Sequence, residues 1–233
     1  MIEGEIKFAV VGTGHIGKRH ASMISKNDDS QLVALVDTDY SKKSIADEFG
    51  VPFFNSIDAL LASNIDIDVV NICTPNGSHS KLSIKALEAN YHVVCEKPMA
   101  LSKADCEELI QKSIEKNKLV FGVMQNRYSP PSAWLKEIVS SGKLGEIFMV
   151  QLNCFWNRDS RYYKADGWKG KKGIDGGTLF TQFSHFIDVL CWLFGDITNI
   201  NSSIRDFNHQ ELTDFEDSGI VSFEFINGGG IGN

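Results

Sequence analysis

One turn, Gly12-x-Gly14-x-x-Gly17, constrains the fold of this chain more than any other feature of its sequence. The apolar run Phe8–Val11 precedes the turn, and a segment with the composition of a helix follows it. Gly12 permits a tight turn, Gly14 lets the backbone approach a pyrophosphate, and Gly17 lets the helix pack close to the strand. Unpaired N–H groups at the helix N-terminus favour phosphate oxygens. The pattern predicts a strand–turn–helix unit whose dinucleotide contacts come from Gly12, Thr13, Gly14, His15, Ile16 and Gly17.

An acidic residue stands where a dinucleotide site requires one. Asp37 ends the next apolar run, twenty residues after Gly17. In dinucleotide-binding units, an acidic group at this point hydrogen-bonds to the hydroxyls of the adenosine ribose. Because a carboxylate would repel a 2′-phosphate, Asp37 predicts NAD as the cofactor rather than NADP. A glycine-rich turn followed by an incidental aspartate is the alternative interpretation.

The composition excludes several classes of protein. The 233 residues suit one large or two small domains, and 42% hydrophobic with 23% charged residues is ordinary for a packed globule. No apolar run approaches the ~20 residues of a membrane span, and no signal-peptide pattern opens the chain. The five scattered cysteines form no CxxC pair, which indicates neither a disulfide framework nor a metal site. We therefore expect a cytoplasmic α/β enzyme with reduced thiols, no bound metal and no membrane partner.

The charge of the chain is unevenly distributed. The net charge is −7, which argues against nucleic acid as a partner. Residues 157–173 nevertheless contain six basic and two acidic side chains, a local charge of +4, together with Tyr162, Tyr163 and Trp168. A basic, aromatic segment in an acidic protein indicates a phosphorylated or nucleotide-bearing small molecule as the ligand. A solvated surface loop is the alternative interpretation.

The first half of the chain alternates apolar runs with helix-length segments of mixed polarity. The runs lie near Ile6–Val11, Leu32–Asp37, Ile67–Cys73, His92–Cys95 and Leu119–Val123. Such alternation indicates a parallel sheet with right-handed crossovers. Residues 1–123 are therefore predicted to form a doubly wound α/β domain that binds NAD.

The second half has a different pattern. It contains a helix near Ser132–Ser141, a long strand at Ile147–Phe155, the basic segment, an apolar helix at Thr178–Phe194, and strands near Ile197–Ile204 and Gly219–Phe225. Residues 124–233 are predicted to form an α+β domain with an open, mainly antiparallel sheet that binds substrate and assembles oligomers. About three strands are too few for a stable sheet face, so this sheet is expected to be truncated at its C-terminus.

Polar residues follow three of the predicted parallel strands. These are Thr74-Pro75-Asn76 with His79, then Glu96-Lys97-Pro98, then Gln125-Asn126-Arg127. Ligands of open parallel sheets bind outside the carboxyl ends of the strands, so the sequence predicts a site at this edge. Lys97 could be an ordinary surface lysine, but its place at a strand end favours a functional role.

The apolar helix carries a polar stripe. Thr178, Thr181, His185 and Asp188 are spaced three, four and three residues apart, which aligns them on one helix face. Such a stripe either forms an internal hydrogen-bond network or faces a ligand. The preceding Gly176-Gly177 and the nearby basic segment favour the ligand.

Together these motifs resemble the Gfo/Idh/MocA (glucose–fructose oxidoreductase / inositol dehydrogenase) family. The resemblance extends over essentially the whole chain and includes Gly145-Glu146-Ile147 and the glycine-led helix Gly176–Asp196. It implies a Rossmann domain followed by a domain with a large open sheet, through which homo-oligomers would form if that sheet is complete. It also implies that Lys97 and His185 act at the substrate. The NAD contacts it implies beyond the glycine turn and Asp37 come from Thr74, Pro75, Asn76, His79, Glu96, Lys97 and Gln125.

Two positions depart from the common family pattern. The family often has Asp four residues before the histidine and Gly two before it, where this chain has Thr181 and Phe183. The glutamine-containing helix, Trp168-Lys169-Gly170 and Gln125-x-Arg127 are similar to the branch of UDP-N-acetylglucosaminuronate 3-dehydrogenases of bacterial surface-polysaccharide (lipopolysaccharide) synthesis. That similarity implies substrate contacts from Lys97, Arg127, Arg158, Tyr163, Trp168, Lys169, Thr181 and His185.

The activity expected from these residues is NAD-dependent oxidation of a secondary sugar hydroxyl. A base must accept the hydroxyl proton as hydride leaves carbon, and histidine needs little tuning for this at neutral pH. We assign His185 as the proton acceptor and Lys97 as the group that orients the hydroxyl, while exchanged roles remain open. The alternatives are a dehydrogenase of a free sugar or inositol, a non-catalytic NAD-binding regulator, and an assembly subunit.

Overall fold

The computed structural model describes residues 4–164, 167–226 and 230–233. The chain divides into two compact units after Val123. Asp166, one of the acidic residues of the basic segment, lies outside the described residues. Among the residues described, no helix combines the length and apolar character that crossing a bilayer requires.

The first unit contains a six-stranded parallel sheet. Its strands are β1 (Ile6–Val11), β2 (Ser30–Val36), β3 (Phe53–Phe54), β4 (Val69–Ile72), β5 (His92–Cys95) and β6 (Val120–Gly122). They lie in the order β3-β2-β1-β4-β5-β6 and all neighbours pair in parallel. This is the doubly wound order of a dinucleotide-binding fold, and it confirms the predicted fold class.

Five helices accompany this sheet. They are α1 (His15–Ile24), α2 (Lys43–Phe49), α3 (Ile57–Leu61), α4 (His79–Glu88) and α5 (Lys103–Lys116). Successive residues of β1 point to opposite faces. Ala9 and Val11 join a core with Leu87 of α4 and Leu109 of α5, whereas Val10 packs with Ala21 of α1. Both faces of the sheet are therefore covered, which accounts for the continuous apolar runs in its strands.

The second unit combines helices with a mixed four-stranded sheet. Its elements are α6 (Pro130–Ser140), β7 (Met149–Val150), α7 (Lys172–Asp175), α8 (Thr178–Thr181), α9 (Ser184–Phe194), β8 (Ile197–Arg205), β9 (Ser218–Phe225) and β10 (Ile231–Gly232). The sheet order is β7-β10-β9-β8, with β10 parallel to β7 and the other neighbours antiparallel. Leu190 of α9 packs on Phe223 and Phe225 of β9 and forms its core.

Two predicted elements of this unit are wrong in extent. The strand expected at Ile147–Phe155 is reduced to β7, because its hydrogen bonds to the segment Ile231–Asn233 run only from Phe148 to Leu152. The single helix expected at Thr178–Phe194 is two helices, α8 and α9. The break occurs where the N–H groups of Gln182 and Phe183 both donate to the carbonyl of Thr178, so the regular ladder is lost there. The polar stripe is therefore divided between two helices.

Candidate active site

Two glycines of the first turn are required by packing. Gly12 has φ +90°, and a Cβ there would lie 2.7 Å from the carbonyl oxygen of Cys73. A Cβ on Gly17 would lie 1.7 Å from the carbonyl oxygen of Gly12, so α1 lies as close to β1 as a helix can. These contacts confirm the geometric reasons for which the motif needs glycine at both positions.

Gly14 differs from its two neighbours because it borders open space. A Cβ built there would meet no atom within 4 Å. Gly14 is also the N-cap of the ten-residue α1, whose first N–H groups have no partner within the helix. An open glycine at a helix N-terminus fits the pyrophosphate of NAD, which needs a close backbone approach and positive partial charge.

Asp37 is bound to the same turn. Its Oδ2 accepts hydrogen bonds from the backbone N–H of Thr13 at 2.7 Å and from the Thr13 hydroxyl at 2.8 Å. Its Oδ1 accepts a hydrogen bond from the N–H of Asp39 at 2.9 Å. The carboxylate therefore holds the glycine turn at the end of β2, a role that sequence analysis did not assign to it. Its predicted contact with the ribose stays a prediction.

The predicted residues after β4 and β5 are joined to one another. The imidazole of His79 is buried, with Nδ1 2.7 Å from the carbonyl oxygen of Pro98 and Nε2 2.7 Å from that of Thr74. The Thr74 hydroxyl lies 2.7 Å from the Ser78 hydroxyl. His79 thus positions two loops at the carboxyl edge of the sheet, and its own contact with NAD stays a prediction.

Glu96 is fixed by two residues that sequence analysis missed. Its Oε1 lies 3.0 Å from Nε2 of His20, and Nδ1 of His20 lies 3.0 Å from Nδ2 of Asn71. Burial acts to raise the pKa of Glu96, but hydrogen bonds from His20 and the Lys97 N–H outweigh it and hold the pKa below its usual range. The available signal was a histidine on the inward face of α1, in register with buried Gly17, Ala21 and Ile24.

In the second unit, the predicted residues of the polar stripe each have a partner within that unit. Arg127 donates to both carboxylate oxygens of Asp188, at 2.8 and 2.5 Å, and this pairing raises the pKa of Arg127. Nε2 of His185 lies 3.4 Å from the amide nitrogen of Gln125. The stripe is therefore, at least in part, the hydrogen-bond network that was its alternative interpretation.

A buried carboxylate lies beside Thr181. The Thr181 hydroxyl donates to Oδ1 of Asp175, and Oδ2 of Asp175 accepts a 2.8 Å hydrogen bond from the N–H of Gly170. Thr181 occupies the position at which the resembled family often has aspartate. The carboxylate is thus present at this point of the fold but comes from α7, and Asp175 also anchors the end of the basic segment.

The basic segment forms a cluster of cations on aromatic faces. The guanidinium of Arg158 lies 4.3 Å from the ring centroid of Trp156 and 4.2 Å from that of Tyr162, and Nζ of Lys169 lies 3.8 Å from the Tyr162 centroid. Gln182 closes the cluster, because it donates to the Tyr162 hydroxyl at 2.8 Å and accepts from Arg158 at 3.3 Å.

The cluster brings the positive charges of Arg158 and Lys169 together at a partly buried position. Burial and the nearby Arg158 guanidinium both lower the pKa of Lys169. A pocket of about 290 Å³ opens beside Arg158 and Tyr162. Both cations lie against the Tyr162 ring, so their charges repel each other, and a bound anion would relieve this repulsion. The arrangement can therefore bind a phosphate or carboxylate.

The aromatic residues predicted to contact ligand have different environments. Tyr163 is only 6% exposed and packs on His209 and Phe215, and burial raises its pKa to about 12. Trp168 is half-buried. The ring that contacts both Arg158 and Lys169 is that of Tyr162, which was not selected as a site residue. Sequence cannot distinguish the adjacent tyrosines 162 and 163 in a loop without regular periodicity.

Neither thiols nor metal ligands form a second centre in the part of the chain that the structure describes. All five cysteines are free, and burial raises the pKa of the Cys95 thiol to about 12. Within the described residues, no three His, Cys, Asp or Glu side chains are grouped to hold a metal ion.

Similar proteins of known structure cover the chain from end to end. The WlbA dehydrogenase of Chromobacterium violaceum, solved with NADH and UDP-GlcNAcA, is 33% identical with a TM-score of 0.94 over 100% of this chain and 68% of its own. The WlbA dehydrogenase of Bordetella pertussis, solved with the same two ligands, is 32% identical with a TM-score of 0.93 over 98% of this chain and 70% of its own.

Curated relatives include the D-glucoside 3-dehydrogenase of Escherichia coli, 28% identical over 98% of this chain and 69% of that protein. The chain spans 50–69% of the length of eight curated relatives that it matches. Residues 6–124 match the family model described as the oxidoreductase family with an NAD-binding Rossmann fold, and residues 133–231 match the GFO/IDH/MocA C-terminal domain. The chain therefore belongs to the Gfo/Idh/MocA family of oxidoreductases, as its motifs predicted, and NAD is the cofactor of its first domain.

Proposed function

We propose that this protein is an NAD-dependent dehydrogenase that oxidises the C3 hydroxyl of a UDP-N-acetylhexosaminuronate in bacterial surface-polysaccharide synthesis. The observation that carries the substrate class is the cation cluster of Arg158 and Lys169 on Tyr162. A nucleotide sugar acid brings a diphosphate, a carboxylate and a base, whereas a free sugar or inositol brings none of these. The two WlbA structures with UDP-GlcNAcA and the position named in D-glucoside 3-dehydrogenase support the same choice.

Oxidation of the hydroxyl requires a hydride acceptor, a proton acceptor and a group that stabilises the developing negative charge. NAD, when bound, would supply the hydride acceptor. His185 accepts the hydroxyl proton, since a neutral imidazole offers a lone pair near physiological pH. The Gln125 amide orients the His185 ring through a contact of 3.4 Å, which is at the long end of hydrogen-bonding distance. The role of Lys97 is to stabilise the negative charge that develops on the substrate oxygen as its proton leaves.

Arg127 has a positioning role in this scheme. Its guanidinium is bidentate with Asp188, one turn after His185 on α9, and it stacks 5.8 Å from the ring centroid of Trp192. Arg127 and Gln125 belong to one short segment, so the ion pair holds both that segment and the Gln125 amide against α9. A charge-assisted bidentate pair suits this because it fixes direction as well as distance.

The test is turnover of UDP-N-acetylglucosaminuronate, glucose and myo-inositol by the purified protein, followed as NADH absorbance. We expect turnover of the nucleotide sugar. Arg158→Gln and Lys169→Met should each raise its KM about tenfold or more, since a charge-assisted contact contributes about 1.5–3 kcal/mol. Lys172→Met is the matched control, because Lys172 is an exposed lysine of the same segment outside the cluster.

NAD affinity should be the same in all three variants, since none of the three residues is a predicted NAD contact. Turnover of myo-inositol or glucose without turnover of the nucleotide sugar would contradict the proposal. It would identify the protein as a dehydrogenase of a free polyol, the activity named for the 31% identical inositol 2-dehydrogenase of Rhizobium meliloti.

A further inference from the structure

We propose that His20 is a positioning residue for the Glu96-Lys97 turn and that it sets the turnover of the enzyme through this turn. His20 lies in α1, Glu96 follows β5, and Asn71 lies in β4, so the contact joins three elements of the first unit. The inference rests on the proposed function in one respect, the role of Lys97 at the substrate hydroxyl.

The hydrogen bonds form a directed chain. The Asn71 amide nitrogen can only donate, so Nδ1 of His20 accepts at 3.0 Å. With Nδ1 as an acceptor, Nε2 carries a proton and donates to Oε1 of Glu96 at 3.0 Å. Oε2 of Glu96 accepts the backbone N–H of Lys97 at 3.1 Å. Each link fixes the next, and the last one fixes the main chain from which the Lys97 side chain extends.

The hydrogen-bonded side chains are largely shielded from water, so losing one of these hydrogen bonds is costly. The side chains of His20 and Glu96 are 16% and 12% exposed, and Asn71 is 4% exposed. A carboxylate so shielded from water is costly to leave without donors. Removing the imidazole therefore either leaves Oε1 of Glu96 without this donor or makes the carboxylate turn towards water. Turning away releases the Lys97 N–H.

Helix α1, which carries His20, has a fixed position against β1. α1 cannot approach β1 more closely, because Gly17 already lies in contact with the carbonyl of Gly12. His20 follows Gly17 by one helical turn on the same inward face. The helix that presents its N-terminus to the cofactor phosphates thus also sets the position of the Lys97 turn. His20 transmits this position through its hydrogen bond to Glu96.

The test compares His20→Ala and His20→Gln with wild type. His20→Ala should lower kcat roughly 10- to 100-fold, since misplacement of a reacting group by about 1 Å costs 10²-fold. The Kd for NAD should change much less than kcat, because the glycine turn and Asp37, which supply other predicted contacts, are untouched. His20→Gln should recover most of the turnover, since its amide can donate to Glu96 from the same helix position. Arg19→Gln, an exposed neighbour on α1, is the control and should behave as wild type.

A second measurement needs no substrate. Hydrogen–deuterium exchange of the Lys97 amide should be faster in His20→Ala than in wild type and slow again in His20→Gln. If His20→Ala does not fold, His20→Phe fills similar space without a donor and takes its place in both measurements.

The outcomes separate this inference from the proposed function. If the wild-type protein oxidises no nucleotide sugar, the proposed function fails, and the exchange of the Lys97 amide still decides the role of His20. Unchanged exchange and unchanged kcat in His20→Ala would overturn the inference. Equal loss of NAD binding and turnover, with no recovery in His20→Gln, would also overturn it, because His20 would then only maintain the fold.

Discussion

Gly17→Ala and Gly14→Ala should impair different properties of the protein. Gly17→Ala should lower the stability of the fold, and Gly14→Ala should lower the affinity for NAD. The Gly17→Ala methyl would have to move from 1.7 Å to at least 3.0 Å from the Gly12 carbonyl oxygen. α1 can yield only by leaving β1, where Val10 and Ala21 are fully buried. Overpacking of this kind costs about 3 kcal/mol or more, which lowers Tm by roughly 6–12 °C in a chain of this size.

Gly14→Ala should leave the fold nearly unchanged. Its Cβ meets no atom within 4 Å, and the backbone at φ −65° suits alanine. The stability should therefore change by less than about 1 kcal/mol, because loss of a favourable N-cap and loss of unfolded-state entropy oppose each other. The methyl would instead occupy the space that the cofactor phosphates require. NAD affinity should fall about tenfold or more as the charge-assisted contact to the pyrophosphate lengthens.

Thermal unfolding and NAD titration by calorimetry, run on both variants, distinguish the two effects. Gly17→Ala should have a lower Tm than wild type, and Gly14→Ala should bind NAD more weakly at an unchanged Tm. A Gly14→Ala protein that binds NAD as tightly as wild type would refute the placement of the phosphates at the α1 N-terminus. A Gly17→Ala protein with wild-type Tm would refute the helix–strand contact.

Three further predictions concern charged residues. Asp37→Asn keeps an acceptor for Thr13 but removes the charge, so the preference for NAD over NADP should fall in parallel titrations of the two cofactors. Equal affinity of the wild-type protein for NAD and NADP would contradict the assignment. Lys97→Ala and His185→Asn should each lower kcat by roughly 10²–10⁴ with NAD affinity nearly intact, and a variant that retains most of its turnover has no place in the mechanism. Because the pKa of Glu96 lies below its ordinary 4.5, its charged form stabilises the fold above that pH, and this stabilisation is lost on acidification. Glu96→Gln should therefore be less stable than wild type in urea at pH 7, with a gap that narrows below pH 4.5; a gap independent of pH would contradict the shift.

Local sequence patterns predicted the first unit well. β1 and β5 have the predicted bounds, and the other three predicted strands have ends within two residues of the predicted ones. The two-residue β3 and the five-residue α3 were not predicted, since elements so short carry no periodicity. In the second unit, α8 and α9 were read as one helix because both are apolar, and the break depends on a main-chain arrangement around Thr178 that composition does not record.

The sequence by itself determined the glycine turn, the alternation of five strands with helices in the first unit, the cofactor class and the family, because these depend on steric and periodic rules that act over a few residues. Only the tertiary structure decided which side chains meet across the fold. It joined Asp37 to Thr13, Asp175 to Thr181, and His20 to both Asn71 and Glu96. Partners in the last group are up to 76 positions apart, and no spacing rule relates residues on different elements. Such contacts form only when packing brings the elements together, and burial then gives each hydrogen bond its energetic weight.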